Sequence, residues 1–199
     1  MSARQRLVLA SASPRRLELL RQIGVTPDAV DAAGLEEAQA PHETPRQLAL
    51  RLAAEKAACV ATRHAGAHVL AADTVVAVGR RVLPKAETEA QVAACLALLS
   101  GRAHRVLTGV AVVAPGGRSA TRLVETRVHF KRLSDADVAA YLASGEGVGK
   151  AGGYAIQGLA GALVIALQGS YSGVVGLPLY ETASLLDGLG YRRAQAASA

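Results

Sequence analysis

The residue that stands out first is a carboxylate inside an apolar run. Asp73 interrupts Leu70-Ala71-Ala72-Asp73-Thr74-Val75-Val76. A carboxylate buried without a partner forfeits several kcal/mol of hydration or gives up its charge. Asp73 therefore sits at a strand end receiving structural hydrogen bonds, pairs with a cation, or holds a metal ion. The second signal is Ser11-Ala12-Ser13-Pro14-Arg15-Arg16. A strand feeding a helix there exposes unpaired backbone N–H groups at the positive end of the helix dipole. Two hydroxyls and two guanidinium groups beside them suit phosphate oxygens, since the arginine fork matches that geometry. The plain alternative is a capped helix with solvent-facing arginines.

Other residues carry weaker signals. Lys56 lies four positions after Leu52, near the apolar side of a helical pattern, while Arg51 and Glu55 are spaced to pair. By itself Lys56 reads as a lysine whose stem covers apolar surface and whose amine reaches water. Lys85, after Pro84, reads as a surface cation. Lys150 to Gly158, KAGGYAIQG, lacks the glycine spacing of a dinucleotide fingerprint or a P-loop. Its paired glycines permit close backbone approach, and the Gln157 amide can read a base edge; a tight structural turn is equally compatible. The five histidines have no zinc-site spacing, and His104 is either catalytic or a polar residue opening a strand.

These residues need elements to hold them. Leu7 to Ala10 reads as a buried strand, followed by a helix that Ser13 caps and Pro14 begins, with Leu17, Leu20 and Ile23 inward and Gly24 as stop. Asp31 to Glu43 is acidic and aperiodic, a surface loop. Thr44-Pro45 opens a long helix with Leu48, Leu52 and Cys59 on its apolar side. Val69 to Val78 is a strand that turns at Gly79-Arg80 and returns through Leu83. Thr88, with Gln91 completing a capping box, opens a helix bearing Val92, Cys95, Leu96 and Leu99. Val106–Val113 and Arg122–Phe130 flank the hairpin signal Pro115-Gly116-Gly117, and Ser134 with Asp137 starts a short helix. The seven glycines between 145 and 161 exclude a continuous element there. Leu163 to Leu167 is a strand, Pro178 to Leu189 the last helix, and 192–199 a loose tail. Alternating elements make this an α/β protein with a mixed sheet.

Composition narrows the partners. In 199 residues, 22 Lys+Arg against 16 Asp+Glu give a net charge of +6, compatible with nucleic acid, an acidic membrane or phosphate-bearing small molecules. The basic residues are interspersed with acids and aromatics are 3%, which disfavours stable nucleic acid binding. The longest apolar stretch, Ala162 to Leu167, is far below the ~20 residues of a bilayer span. Arg4 and Arg6 before Leu7 to Ala12 imitate a secretory signal too short to be one. Cys59 and Cys95 read as reduced core thiols, so the expected compartment is cytoplasmic.

Six blocks, taken together, resemble the Maf-type septum-formation proteins, in that family's order and over nearly the whole chain. They are Ser11–Arg16, Leu52–Ala57, Ala71–Val76, His104–Gly109, Lys150–Gly158 and Gly169–Leu179. The resemblance implies a mixed α/β fold with a twisted sheet, flanking helices and two lobes around a central cleft, similar to inosine triphosphate pyrophosphatases. It implies a single domain, members that are often homodimers, and a nucleoside triphosphate pyrophosphatase needing a divalent metal, Mg²⁺ or Mn²⁺.

By the same resemblance Asp73 is the proton acceptor, and Arg15, Thr74 and Gln157 bear on base choice. Ser11, Ser13 and Arg16 belong with Arg15 in the substrate-binding turn. Lys56 and Lys85 match the family's lysines. Glu37, with Glu36 beside it as the other register, matches a loop glutamate that shares the metal with Asp73. Leu83-Pro84-Lys85-Ala86 departs from the usual Leu-Gly-Lys-Pro, and Gly147 or Val148 replaces a common tryptophan. Ser-Pro-Arg-Arg with Tyr-Ala-Ile-Gln-Gly resembles the dTTP/UTP branch. The 7-methyl-GTP branch and a nucleotide-binding regulator of division that does not hydrolyse are the alternatives.

Overall fold

The computed structural model describes residues 5–192; Arg4 and the tail beyond Arg192 lie outside the described residues. Strand β1 (Arg6–Leu9) feeds helix α1 (Pro14–Gln22), and β2 (Ala29–Val30) pairs beside β1. Helix α2 (Pro45–Ala61) starts with a full capping box between Thr44 and Gln47 and Pro45 in its first turn. The long strand β3 (Ala67–Val78) turns through Gly79 into β4 (Arg81–Leu83) and the two-residue β5 (Lys85–Ala86). Helix α3 (Glu89–Leu99) precedes the long hairpin β6 (Ala103–Val113) and β7 (Ser119–Phe130). Then come α4 (Asp135–Ala143), β8 (Lys150–Ala151), a 3-10 turn (Leu159–Leu163), β9 (Val164–Gln168), α5 (Tyr171–Val175) and α6 (Leu179–Gly188).

Several expectations shift. Ser13 occupies the cap position of α1 without a side-chain cap bond; its own N–H is instead taken by Ser11 Oγ. Thr88 Oγ1 accepts from Gln91 N–H, but the Gln91 amide oxygen accepts from Glu87 N–H, so the box is only half formed. The buried side of α2 runs through Val60, not Cys59. Cys59 is half-buried, its thiol directed at the Ala33 carbonyl, while Cys95 is in the core; both thiols are free. Leu19 joins Leu20 inside α1, with Leu17 and Ile23 only partly buried. The last strand starts at Val164 because the 3-10 turn takes Leu163.

The main sheet has seven strands, ordered β2-β1-β3-β6-β7-β9, with β4 also on β3. One edge of β3 pairs with antiparallel β6 from Val69 to Ala77. Its other edge takes parallel β1 only as far as Leu70 and antiparallel β4 only from Val76. Between those two partners the sheet splits, and the split falls on Asp73 and Thr74. Ligands favour such points in α/β sheets, where diverging strands leave a crevice.

Alternation along β3 assigns the two faces. Val69, Ala71, Val75 and Ala77 pack with α2, whereas Leu70, Ala72 and Val76 join the larger core with α1, α3, α4 and α6. Asp73 faces α2 and Thr74 faces the opposite core. Helix α2 rides close to the sheet because its inner side carries Ala49, Ala53 and Ala57 and the strand beneath offers Gly109. A Cβ on Gly109 would lie 2.2 Å from the Ala49 carbonyl oxygen. Among the described residues no helix is long and apolar enough to cross a membrane.

Candidate active site

Asp73 is mid-strand, which removes the strand-end alternative. It is 6% exposed, and its Oδ1 accepts a hydrogen bond from Lys56 Nζ at 2.6 Å. Lys56 is itself buried, 9% exposed, so it does not snorkel to water. The ammonium also meets Glu37 Oε1 at 2.6 Å, which selects Glu37 over its exposed neighbour Glu36. Two carboxylates thus share one cation. Burial pushes the Asp73 carboxyl above the ordinary carboxylate range, outweighing the opposite pull of Lys56 and Arg16.

Glu37 comes from the loop 31–43, which is pinned at both ends to α2 and the residues just after it. Arg63 grips both oxygens of Asp31 at 3.0 Å and also donates to the Ala32 carbonyl, with His64 Nε2 2.8 Å from Asp31 Oδ2. At the far end Arg51 grips both oxygens of Glu43, at 2.7 and 2.8 Å, and donates to the Ala38 carbonyl. Bidentate pairs of this kind add geometric definition as well as energy. Arg51 also meets Glu55 at 3.0 Å, the pairing their spacing predicts.

At the N-terminus of α1 the two arginines have different tasks. Arg16 donates from Nε to the Gly176 carbonyl at 2.8 Å and from Nη1 to Ser11 Oγ at 2.9 Å, with Nη2 3.4 Å from Thr74 Oγ1. Thr74 continues the chain of contacts to Thr108 at 3.1 Å, and Thr108 donates to the Gly173 carbonyl. Arg16 therefore braces α1, β3 and the 169–179 segment against one another. Arg15 has no such commitments and lines the cleft.

That cleft, about 730 Å³, brings together the Ser11–Arg16 turn, Glu37, Lys56, Asp73, Thr74, Lys85 and Gln157, but neither Glu36 nor His104. Gln157 is exposed at it, and Lys85 is exposed on the small β5–β8 sheet. The same pairing brings in Lys150, a cation with no task assigned above. Burial together with the charges of Arg15 and Lys85 pulls the Lys150 ammonium below its usual range. Three cations from separate segments converge here. The signal for Lys150 was its place at the head of KAGGYAIQG, but pairing of two two-residue strands 65 positions apart has no local signature. Among the described residues no cluster of three or more His, Cys, Asp or Glu side chains forms a metal site.

His104 lies behind the cleft, 2% exposed, and its Nε2 is 2.8 Å from Tyr154 Oη. It is structural. Burial, reinforced by His129, pushes the imidazole down to about 4. Its folded value is thus below the unfolded value of about 6.5, so its stabilisation is present above pH 6.5 and lost as pH falls toward 4. Between pH 7.5 and 4.5, wild type is expected to lose about 2–3 kcal/mol more stability than His104→Gln in chemical denaturation. Parallel losses in the two proteins would show that His104 does not titrate this way.

A cation-lined crevice at a split sheet, with one buried carboxylate on its floor, defines an α/β protein built to receive a polyanion. The chain belongs to the Maf family: the family model described as Maf-like protein matches residues 6–189. The dTTP/UTP pyrophosphatase of Caulobacter vibrioides is 69% identical over 192 residues, covering 96% of this chain and 100% of that one. The dTTP/UTP pyrophosphatase of Maricaulis maris is 62% identical over 191 residues, 94% and 90% of the two chains. A solved structure of a nucleoside-triphosphatase / dITP/XTP pyrophosphatase from Mycobacterium abscessus aligns over 65% of this chain and 74% of that one, at 21% identity and a TM-score of 0.43.

Proposed function

We propose that the chain hydrolyses dTTP and UTP to the nucleoside monophosphate and pyrophosphate. Water attacks the α-phosphorus, the bond to the oxygen bridging the α- and β-phosphates breaks, and that oxygen leaves with pyrophosphate. The observation that carries this reading is Asp73, buried on the cleft floor and opposed by cations on the walls. Asp73, buried with one oxygen engaged by Lys56, takes the proton of the attacking water. Lys56 holds that carboxylate in place. Arg15, Lys85 and Lys150 neutralise the charge that accumulates on the phosphate oxygens and the departing pyrophosphate.

Asp73 Oδ1 and Glu37 Oε1 each lie 2.6 Å from Lys56 Nζ, so the two carboxylates come together around one ammonium. Their hard oxygens fit Mg²⁺ or Mn²⁺, so Asp73 and Glu37 would hold such an ion. When bound, such an ion supplies further charge neutralisation on the phosphates and lowers the pKa of water it holds. The Gln157 amide reads the base edge, with Thr74 and Arg15 fixing where the nucleotide lies. The pyrimidine preference also rests on relatives named for the dTTP/UTP pair. On this reading the chain works in the cytoplasm as one domain whose two lobes share the cleft, pairs as a homodimer, and binds small nucleotides without stable nucleic acid binding.

Hydrolysis of dTTP in H₂¹⁸O tests the site of attack. The label is expected in dTMP, with unlabelled pyrophosphate and no dTDP. Label in pyrophosphate, or release of orthophosphate and dTDP, would move the attack off the α-phosphorus.

A further inference from the structure

Gln157 sits on a segment whose neighbours are fixed from behind. Gly152 and Gly153 turn with φ of +67° and +69°, and a Cβ would press into Val76 at the first and against Cys95 and Val92 at the second. The next residue, Tyr154, is 6% exposed and reaches His104. Its ring stands edge-to-face with Phe130 at 4.9 Å and with His104 at 5.4 Å, and His104 meets Phe130 at 5.2 Å. Ala155 N–H donates to Tyr141 Oη at 3.1 Å. Past Gln157, Leu159 N–H donates to Glu146 Oε2 at 2.8 Å. The amide that faces the cleft is thus carried on a short span held on both sides.

The histidine within this support is held at a cost. His104 Nδ1 is buried and has no hydrogen-bond partner among the described residues. A proton there would be a buried donor with no acceptor, so the cheaper arrangement keeps it on Nε2, donating to Tyr154 Oη. An apolar ring would fill the same space without leaving Nδ1 dehydrated. What the imidazole adds over such a ring is its bond to Tyr154.

We propose that His104 and Tyr154, with Tyr141 as the second support, are positioning residues that hold the Gln157 amide in register with the pyrimidine edge. The inference rests on the base-reading role of Gln157. His104 does not line the cleft, so it acts through Tyr154 and touches no substrate. A misplaced amide weakens its bonds to the matching base and leaves the bonds to phosphate intact. Discrimination falls while the chemical step is spared.

The test compares kcat/KM for dTTP with that for dGTP in wild type, His104→Phe, Tyr154→Phe, their double variant, His104→Gln, Tyr141→Phe and Gln157→Ala. His104→Phe and Tyr154→Phe are each expected to lower the dTTP-to-dGTP ratio roughly five- to twentyfold, the cost of one misaligned buried hydrogen bond. For His104→Phe the loss is expected in the KM for dTTP, with kcat within about threefold of wild type. The double variant loses no more than either single one, because both remove the same bond. His104→Gln, which retains an N–H donor, recovers most of the ratio. Should His104→Phe fail to fold, Tyr154→Phe and Tyr141→Phe, which each remove only a hydroxyl, carry the test alone. Variants with lower melting temperatures and evenly reduced rates on both substrates, at an unchanged ratio, would overturn the inference. A ratio that collapses in Gln157→Ala but stays intact in the His104 and tyrosine variants would overturn it while leaving the base-reading role standing. An unchanged ratio in Gln157→Ala would remove both.

Discussion

Asp73→Asn is expected to lower kcat for dTTP by about 10²–10⁴-fold, the usual contribution of a positioned general base. The amide cannot accept the water's proton, yet it fills the same space on the floor of the cleft. The fold should survive the change. Lys56 keeps Glu37 at 2.6 Å, and the substitution removes a charge that burial disfavours. A melting temperature within a few degrees of wild type, with substrate still binding, would separate lost chemistry from lost structure. Turnover within tenfold of wild type would take Asp73 out of the proton transfer.

Gly109→Ala is expected to be the most damaging single-methyl change, although Gly109 touches no ligand. Gly109 is the cross-strand partner of Asp73, and its added Cβ would fall 2.2 Å from the Ala49 carbonyl oxygen and 2.7 Å from its carbon. Neither neighbour is a flexible side chain; both belong to the backbone of α2, so the helix itself must lift. Overpacking of this kind costs about 1–3 kcal/mol, occasionally more. For a chain of this length that is roughly 2–12 °C in Tm. Lifting α2 also carries Lys56 away from Asp73, and a misplacement of about 1 Å can cost on the order of 100-fold in rate. Thermal denaturation and kcat should therefore fall together. A variant with wild-type stability would mean that the helix does not seat on this glycine.

How much of this was readable beforehand depended on how local each signal was. Asp73 was legible because a carboxylate in an apolar run violates burial chemistry on its face. The cap at Ser134 was legible because its partner Asp137 lies three residues away, although the same spacing at Thr88 and Gln91 yields only half a box. Lys56 was not, since a lysine on a buried helix face and one at its margin share the same spacing; only the reach across to β3 separates them. Glu36 and Glu37 were indistinguishable in a loop without periodicity, until Lys56 chose between them. The pair β5 and β8 and the five-residue α5, with Gly173 inside it, were too short to leave a pattern. Arg15 and Arg16 looked alike in sequence and differ only in what surrounds them: three oxygens for Arg16, the open cleft for Arg15.

The anchoring of the 31–43 loop has a bearing on how the family can vary. Ala33 is the last residue whose backbone is held at one end and Ala38 the first at the other, so the backbone from Gly34 to Glu37 bridges the two moorings, with the Glu37 side chain meeting Lys56. How far the Glu37 carboxylate can extend is set by the length of that slack and hardly at all by the side chains along it. Composition at Leu35 and Glu36 is free to drift, whereas adding or deleting a single residue would change the tether's reach by about 3 Å. Tolerance to replacement and intolerance to indels should therefore coexist in the same short stretch.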